Sequence, residues 1–325
     1  MLKYKLGTIE ASEALIKDLY IDLRTKVNAW SEITQQTPQA RMGYIGQHLV
    51  SVVTGYPGGK SGARGYDLII SPTEHGEIKT CYRVDQLGSC KNCSAVVSSL
   101  ETICSACGSV DINRKDDSKW LISIRNDDEF AKILDPSTYY FVLFEYENLS
   151  HTAESDIIAS IWEVNPKTKG FAYCMVDYYI NIRSKSTSKA PFNMWPHDLK
   201  FLLCEPKLIY RSRITPAGNI NTLIFPAENN CEVTKLKSPM EYYNSDTLTA
   251  KCIKSIIKKH IPSARTSQKN KSELLLLLDK YIIANNISNS ELCDIFCKAI
   301  YLPRITPKKD KIPDTIKALF DDFQA

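Results

Sequence analysis

Residues 67–80 read Asp67-Leu-Ile-Ile-Ser-Pro-Thr-Glu-His-Gly-Glu-Ile-Lys-Thr80, and the rest of the chain is organised around them. Leu68, Ile69 and Ile70 form one apolar run. Ser71, Pro72 and Gly76 supply turn chemistry, and Glu77-Ile78-Lys79-Thr80 opens a second strand. This is a β-hairpin pattern. Alternate side chains of a strand share a face, so Glu77 and Lys79 point one way and Ile78 the other. Asp67 begins the first strand, where a twisted hairpin brings it toward Glu77. Two carboxylates and one ammonium then meet at one spot. Such a pair of carboxylates suits a hard divalent cation such as Mg²⁺. A lysine beside them can orient water or stabilise charge on a phosphate.

The elements ahead of the hairpin extend the pattern. Residues 8–34 carry Ile9, Leu15, Ile16, Leu19, Tyr20, Leu23 and Val27 near helical spacing, and read as a scaffold helix. Residues 40–54 read as a second helix stopped by Gly55, with Gln47 and His48 as its polar interruption. The loop of residues 56–66 is rich in glycine and contains Gly59-Lys60-Ser61. A phosphate-binding P-loop needs a glycine five residues earlier and a helix afterward, whereas position 54 is Thr and a strand follows. The loop reads instead as one whose backbone can approach a phosphate, with Lys60 and Arg64 as cationic contacts.

The spacing Asp67-x9-Glu77-x-Lys79, behind a helix and a basic loop, resembles the PD-(D/E)XK nuclease superfamily, with Tyr66 where the proline would stand. The run from Gly43 to Arg83 also resembles MamI-type restriction enzymes. That resemblance implies a restriction-endonuclease-like α/β fold with a mixed sheet flanked by helices. It implies a type II enzyme that hydrolyses both strands of double-stranded DNA at a short site, with Mg²⁺, leaving 5′-phosphates. Asp67 and Glu77 would bind the metal, Lys79 would position the attacking water, and Gln47 would stand where many members carry a glutamate. His48 is the alternative polar group on that helix, although a lone helical histidine is more often structural. The resemblance further implies a homodimer, since two-fold sites match two-fold proteins, and a cognate DNA methyltransferase. Two other readings use the same residues: a repair or recombination nuclease acting on DNA structure, and a non-catalytic zinc-ribbon DNA-binding protein.

Cys90-Lys-Asn-Cys93 and Cys104-Ser-Ala-Cys107 form C-x2-C-x10-C-x2-C, the most specific signal in the chain. Two such pairs place four thiolates around one Zn²⁺ in a closed, structural site. Gly88 and Gly108 suit the adjoining turns. Residues 86–115 therefore read as a zinc-ribbon insert that braces the sheet, with Lys91, Arg114 and Lys115 free to touch DNA. Eleven cysteines is an odd number and argues against a disulfide framework. Cys174, Cys204, Cys231 and Cys252, and the i, i+4 pair Cys293 and Cys297, read as packing thiols.

Downstream, Trp120–Ile124, Thr138–Tyr146, Ile157–Val164, Phe201–Cys204 and Leu208–Arg213 read as strands, and residues 127–134 and 171–184 as helices. The polar loop of residues 185–198, with Lys185, Lys189, Asn193, Trp195 and His197, reads as a DNA-contacting loop or a packed Ω-loop. Residues 226–245 look like a linker. From Ser245 to Ala325 there are 14 Lys and Arg against 9 Asp and Glu, which exceeds the whole chain's net charge of +4. Lys258, Lys259, Lys269 and Lys271 make this helical region a candidate phosphate grip, similar to SAP-type helix-turn-helix modules. The division expected is a nuclease domain over residues 1–244 and a basic helical DNA-binding or dimerisation domain over 245–325. No stretch reaches the roughly 18 apolar residues that span a bilayer. The start Met1-Leu-Lys-Tyr-Lys-Leu-Gly7 lacks a signal-peptide core, so a cytoplasmic protein is expected.

Overall fold

The computed structural model describes residues 4–36, 43–59, 66–185, 191–318 and 320–321. Contacts divide it into two compact units, one of residues 1–120, 137–163 and 207–232, the other of residues 121–136, 164–206 and 233–325.

The first unit is built on a mixed sheet in the order β1 (Leu68–Ile69), β2 (His75–Tyr82), β7 (Thr138–Tyr146), β8 (Ile157–Val164), β10 (Lys207–Ile214), β11 (Ile220–Ile224), with β12 (Glu232–Val233) added to β10. β2 and β7 are parallel neighbours, Glu77 opposite Tyr139 and Lys79 opposite Phe141. A parallel pair needs a long crossover, and here the crossover carries the cysteine ribbon. β7 reads as a continuous apolar run because Tyr139 to Phe144 are all buried. β8 and β10 are antiparallel, and β10 bulges between Leu208 and Tyr210.

Helices α1 (Ile9–Leu15) and α2 (Leu23–Thr34) flank a π-helical segment, Ile16–Asp22. Thr8 caps α1 by accepting from the Ala11 amide at 3.3 Å. α3 (Gly43–Thr54) buries Ile45, Leu49, Val50 and Val53, and these join Ile16, Tyr20, Leu68, Ile78, Tyr140, Val142 and Phe144 in one core. Gly55 ends α3 with φ +81°, its amide bonded to the Ser51 carbonyl at 3.0 Å.

The second unit contains α4 (Asp127–Leu134), α5 (Lys169–Asn181), α6 (Leu199–Leu202), α7 (Ala250–His260), α8 (Lys271–Ala284), α9 (Asn289–Ile305) and α10 (Asp314–Lys317). α5 shows weak periodicity in sequence because it is buried nearly all round, from Gly170 to Tyr178. Its Asp177 accepts from Arg304 Nε at 2.8 Å and from Asn181 at 2.9 Å, which satisfies a buried carboxylate. Cys174, Cys204, Cys293 and Cys297 are buried thiols, whereas Cys231 and Cys252 are only half-buried.

The expected mixed α/β sheet flanked by helices is the fold observed. Some local readings need correction. Trp120–Ile124 does not enter the main sheet: β6 (Trp120–Ile122) pairs with β9 (Phe192–Met194) in a two-stranded ladder. Phe201–Cys204 is not a strand, because Asp198 caps the short helix α6 through the Leu199 amide at 2.8 Å. Residues 226–245 are more than a linker, since they hold β12 and a 3-10 turn with Pro239 and Tyr242 buried.

Candidate functional site

The hairpin forms as its sequence requires. Leu68 lies opposite Gly76 and Ile69 opposite His75 in antiparallel register, so continuing the register places Asp67 opposite Glu77. Gly76 lies tight against the core there: a Cβ would stand 3.0 Å from the Tyr140 ring, which would have to shift by a few tenths of an ångström. Ile78 is 5 % exposed and anchors the strand to the core. Its amide donates to Asp67 Oδ2 at 2.9 Å. Asp67 is therefore tied to the peptide that separates Glu77 from Lys79. Lys79 Nζ donates to Glu77 Oε1 at 2.5 Å, and both side chains are partly open to solvent.

Helix α3 supplies the fourth group. It docks on β2 at Gly46, whose amide donates to the Tyr82 hydroxyl at 3.1 Å. Two α3 residues then face different surroundings. Gln47 Nε2 donates to Asp67 Oδ1 at 2.9 Å, whereas His48 is exposed. Gln47 thus holds the acid, a contact the sequence reading did not foresee. Nor did it foresee the Ile78 amide, because backbone donors leave no residue signature.

Burial raises the Asp67 pKa above the ordinary carboxylate value, and the Glu77 charge adds to the rise; the Ile78 amide and Lys79 oppose it. Two neighbouring carboxylates whose charges repel each other are a donor pair that a hard cation relieves. The donor set of Asp67 and Glu77 fits Mg²⁺ on that ground.

The cysteine ribbon is a second candidate metal centre. β3 (Gly88–Cys90), β4 (Val96–Val97) and β5 (Ile112–Arg114) form its sheet in the order β4-β3-β5. Cys90, Val97, Cys104 and Ile112 make a small core. The ligand atoms of Cys90, Cys93, Cys104 and Cys107 all lie within 4.8 Å of one another. Cys90 Sγ is 3.5 Å from Cys107 Sγ, and Cys93 Sγ is 3.6 Å from Cys104 Sγ. A tetrahedron with metal–sulfur bonds near 2.3 Å has edges of about 3.8 Å, so the four sulfurs fit one ion.

The two pairs are folded alike. Cys90 and Cys104 each donate an amide five residues forward, to the carbonyls of Ala95 and Ser109. Each accepts at its own carbonyl four residues on, from the amides of Ser94 and Gly108. Ser94 and Gly108 are both left-handed, at φ +62° and +72°. Amide donors, that of Cys93 foremost, hold the Cys90 pKa down to about 6, whereas at Cys93 the Ala95 amide is outweighed by the neighbouring Cys107 and Cys104 thiols, which push it up to about 12. Gly88, expected in a turn, is in strand β3 instead, where a Cβ would meet Ile112 Cγ2 at 2.7 Å. Arg114, expected at a DNA surface, is buried and donates to the carbonyls of Ser98 and Glu101. Lys91 pairs with Asp111 at 2.7 Å.

The expected DNA-contacting residues that are described fall on several elements. Lys60, Arg64 and Lys189 lie outside the described residues. Lys185 ends a 3-10 turn and is exposed. Asn193 is exposed on β9 between buried Phe192 and Met194. Lys258 and Lys259 are exposed in the last turn of α7. Lys269 is half-buried ahead of α8. Lys271 opens α8, with Nζ 3.0 Å from the Ser245 carbonyl and 5.7 Å from the centre of the Tyr243 ring.

Comparison with known proteins gives the class and then the family. Residues 29–241 match a family model of restriction endonucleases, and this segment contains Gln47, Asp67, Glu77, Lys79 and all four ribbon cysteines. The protein is therefore a DNA endonuclease, a hydrolase of the kind used in restriction–modification. It belongs to the MamI restriction endonuclease family. No curated protein and no solved structure matches the chain. Among the described residues, no helix is long and apolar enough to cross a membrane.

Proposed function

We propose that the protein is a type II, Mg²⁺-dependent endonuclease that cuts both strands of duplex DNA at a defined site and leaves 5′-phosphates. The observation that carries this reading is the seating of Asp67 on the Ile78 amide, which draws Asp67, Glu77 and Lys79 to one stretch of β2. In this reading Asp67 and Glu77 hold Mg²⁺. When bound, that ion supplies Lewis-acid stabilisation of charge on the phosphate and lowers the pKa of a water. Gln47 and the Ile78 amide fix the orientation of Asp67, so its carboxylate is set before substrate arrives. Lys79 orients the attacking water and offsets the negative charge that builds as the P–O bond to the leaving 3′-oxygen breaks.

The four ribbon cysteines hold a structural Zn²⁺. Lys60, Arg64, Lys185, Lys189, Asn193, Lys258, Lys259, Lys269 and Lys271 grip the DNA backbone or read bases. Residues 1–244 act as the nuclease domain, and residues 245–325 contribute the basic helical part. Two copies act together on the two strands, and a cognate methyltransferase protects the host site.

The test is digestion of unmodified and methylated duplex DNAs with and without Mg²⁺, with sequencing of the ends. Discrete Mg²⁺-dependent products, lost in Glu77→Ala, are expected. Cleavage restricted to branched or damaged DNA would replace this reading with a repair nuclease. Binding without any cleavage would leave a DNA-binding protein.

A further inference from the structure

Tyr66 immediately precedes Asp67, and His75 lies two residues before Glu77 on the same face of β2. The two rings stack, with centroids 3.3 Å apart and planes 26° from parallel. One face of Tyr66 is thus covered, yet the residue is 53 % exposed. Its backbone is held as well, because Gly59 approaches so closely that a Cβ there would stand 2.2 Å from the Tyr66 carbonyl oxygen. A large ring left half open to water and backed by one stacked ring contributes little to a core. It has already lost the rotamer freedom that a ligand would otherwise have to remove.

We infer that Tyr66, braced by His75, is a stacking platform for the nucleobase beside the scissile phosphate. The inference rests on the endonuclease reading and extends it. The chemistry supports a base as the ligand. An aromatic face accepts any base without reading its edge, so the contact positions the strand and does not select sequence. Next to Asp67, it would hold the adjoining nucleotide while the phosphate is placed at the carboxylates. A base can reach the ring only when it leaves the duplex stack, which costs least where the strand is already distorted.

The test is a cycle of two changes, read as duplex binding with Ca²⁺ replacing Mg²⁺ so that the bound DNA is not cut. Tyr66→Ala is combined with an abasic position at the nucleotide flanking the cut mapped for the wild type. On intact duplex, Tyr66→Ala should weaken binding about 5- to 150-fold, the effect of losing one base–aromatic stack. The slope of log affinity against log salt should not change, because no phosphate contact is lost. Tyr66→Phe keeps the ring and should restore affinity. On the abasic duplex, Tyr66→Ala should cost less than about twofold, since the partner is already gone. Equal losses on both duplexes, or no loss on either, would overturn the inference while leaving the endonuclease standing. A wild type that cuts no duplex removes the endonuclease reading, and the platform falls with it.

Discussion

Gly46 on α3 and Thr80 on β2 touch so closely that a Cβ at residue 46 would stand 2.1 Å from Thr80 Oγ1 and 2.9 Å from Thr80 Cβ. This contact sets how near α3 lies to the strand that carries Glu77 and Lys79, and so whether Gln47 reaches Asp67. Gly46→Ala should push the helix away. Overpacking of this kind costs about 1–3 kcal/mol, measurable as a lower midpoint in denaturant. Cleavage should fall further than the folded fraction does, because the Gln47–Asp67 contact is lost as well.

Asp67 gives a pH-dependent prediction. Its pKa is raised in the folded chain, so folding takes up a proton in the window just above the ordinary carboxylate range. Its contribution to stability therefore falls as pH rises through that window and stays low above it. Asp67→Asn removes this dependence. In Mg²⁺-free buffer, the melting temperature of Asp67→Asn relative to wild type should be more favourable at pH 7 than at pH 4. The same variant should have no measurable cleavage. A relative melting temperature independent of pH would show that Asp67 titrates normally.

The ribbon should carry one zinc per chain by elemental analysis. Cys90→Ser or Cys104→Ser should lose the metal and unfold residues 86–115, seen as rapid amide exchange there. Cys90 and Cys104 are the buried members of each pair, so their loss also opens the small core of Val97 and Ile112. A metal-free protein with a protected ribbon would contradict the assignment.

Lys258 and Lys259 should act through phosphate alone. Lys258→Ala and Lys259→Ala should each weaken binding to cognate and unrelated duplexes alike, and each should reduce the salt slope by about one. A loss confined to the cognate duplex would mean that these side chains read bases.

Much of this was legible in the sequence because it lay in local pattern. The Asp67–Thr80 hairpin announced itself through two apolar runs and a turn. The cysteine knuckles did so through paired spacing, and β7 through an unbroken apolar run. What escaped was non-local or chemically silent. Gly46 gave no sign that it faces Thr80, since a glycine in a helix looks only weakening. The Ile78 amide belongs to a residue chosen for the core. Arg114 looked like a surface cation because charge is visible in sequence and burial against the Ser98 and Glu101 carbonyls is not. Trp120–Ile124 looked like another strand of the main sheet because apolar alternation does not say which strand will be the partner. Phe201–Cys204 went wrong because four apolar residues cannot separate strand from helix, and the deciding signal was the capping Asp198 before them.

The matched turns at Ser94 and Gly108 have a consequence for how the ribbon comes apart. Both occupy the left-handed region, but only the second is a glycine. A side chain held there costs of order 1 kcal/mol, which glycine avoids. The two halves of an otherwise repeated unit are therefore unequal in strength, and disassembly has a direction. If the four cysteines hold an ion, the Cys90–Cys93 half should let go first and the Cys104–Cys107 half should be its last holder.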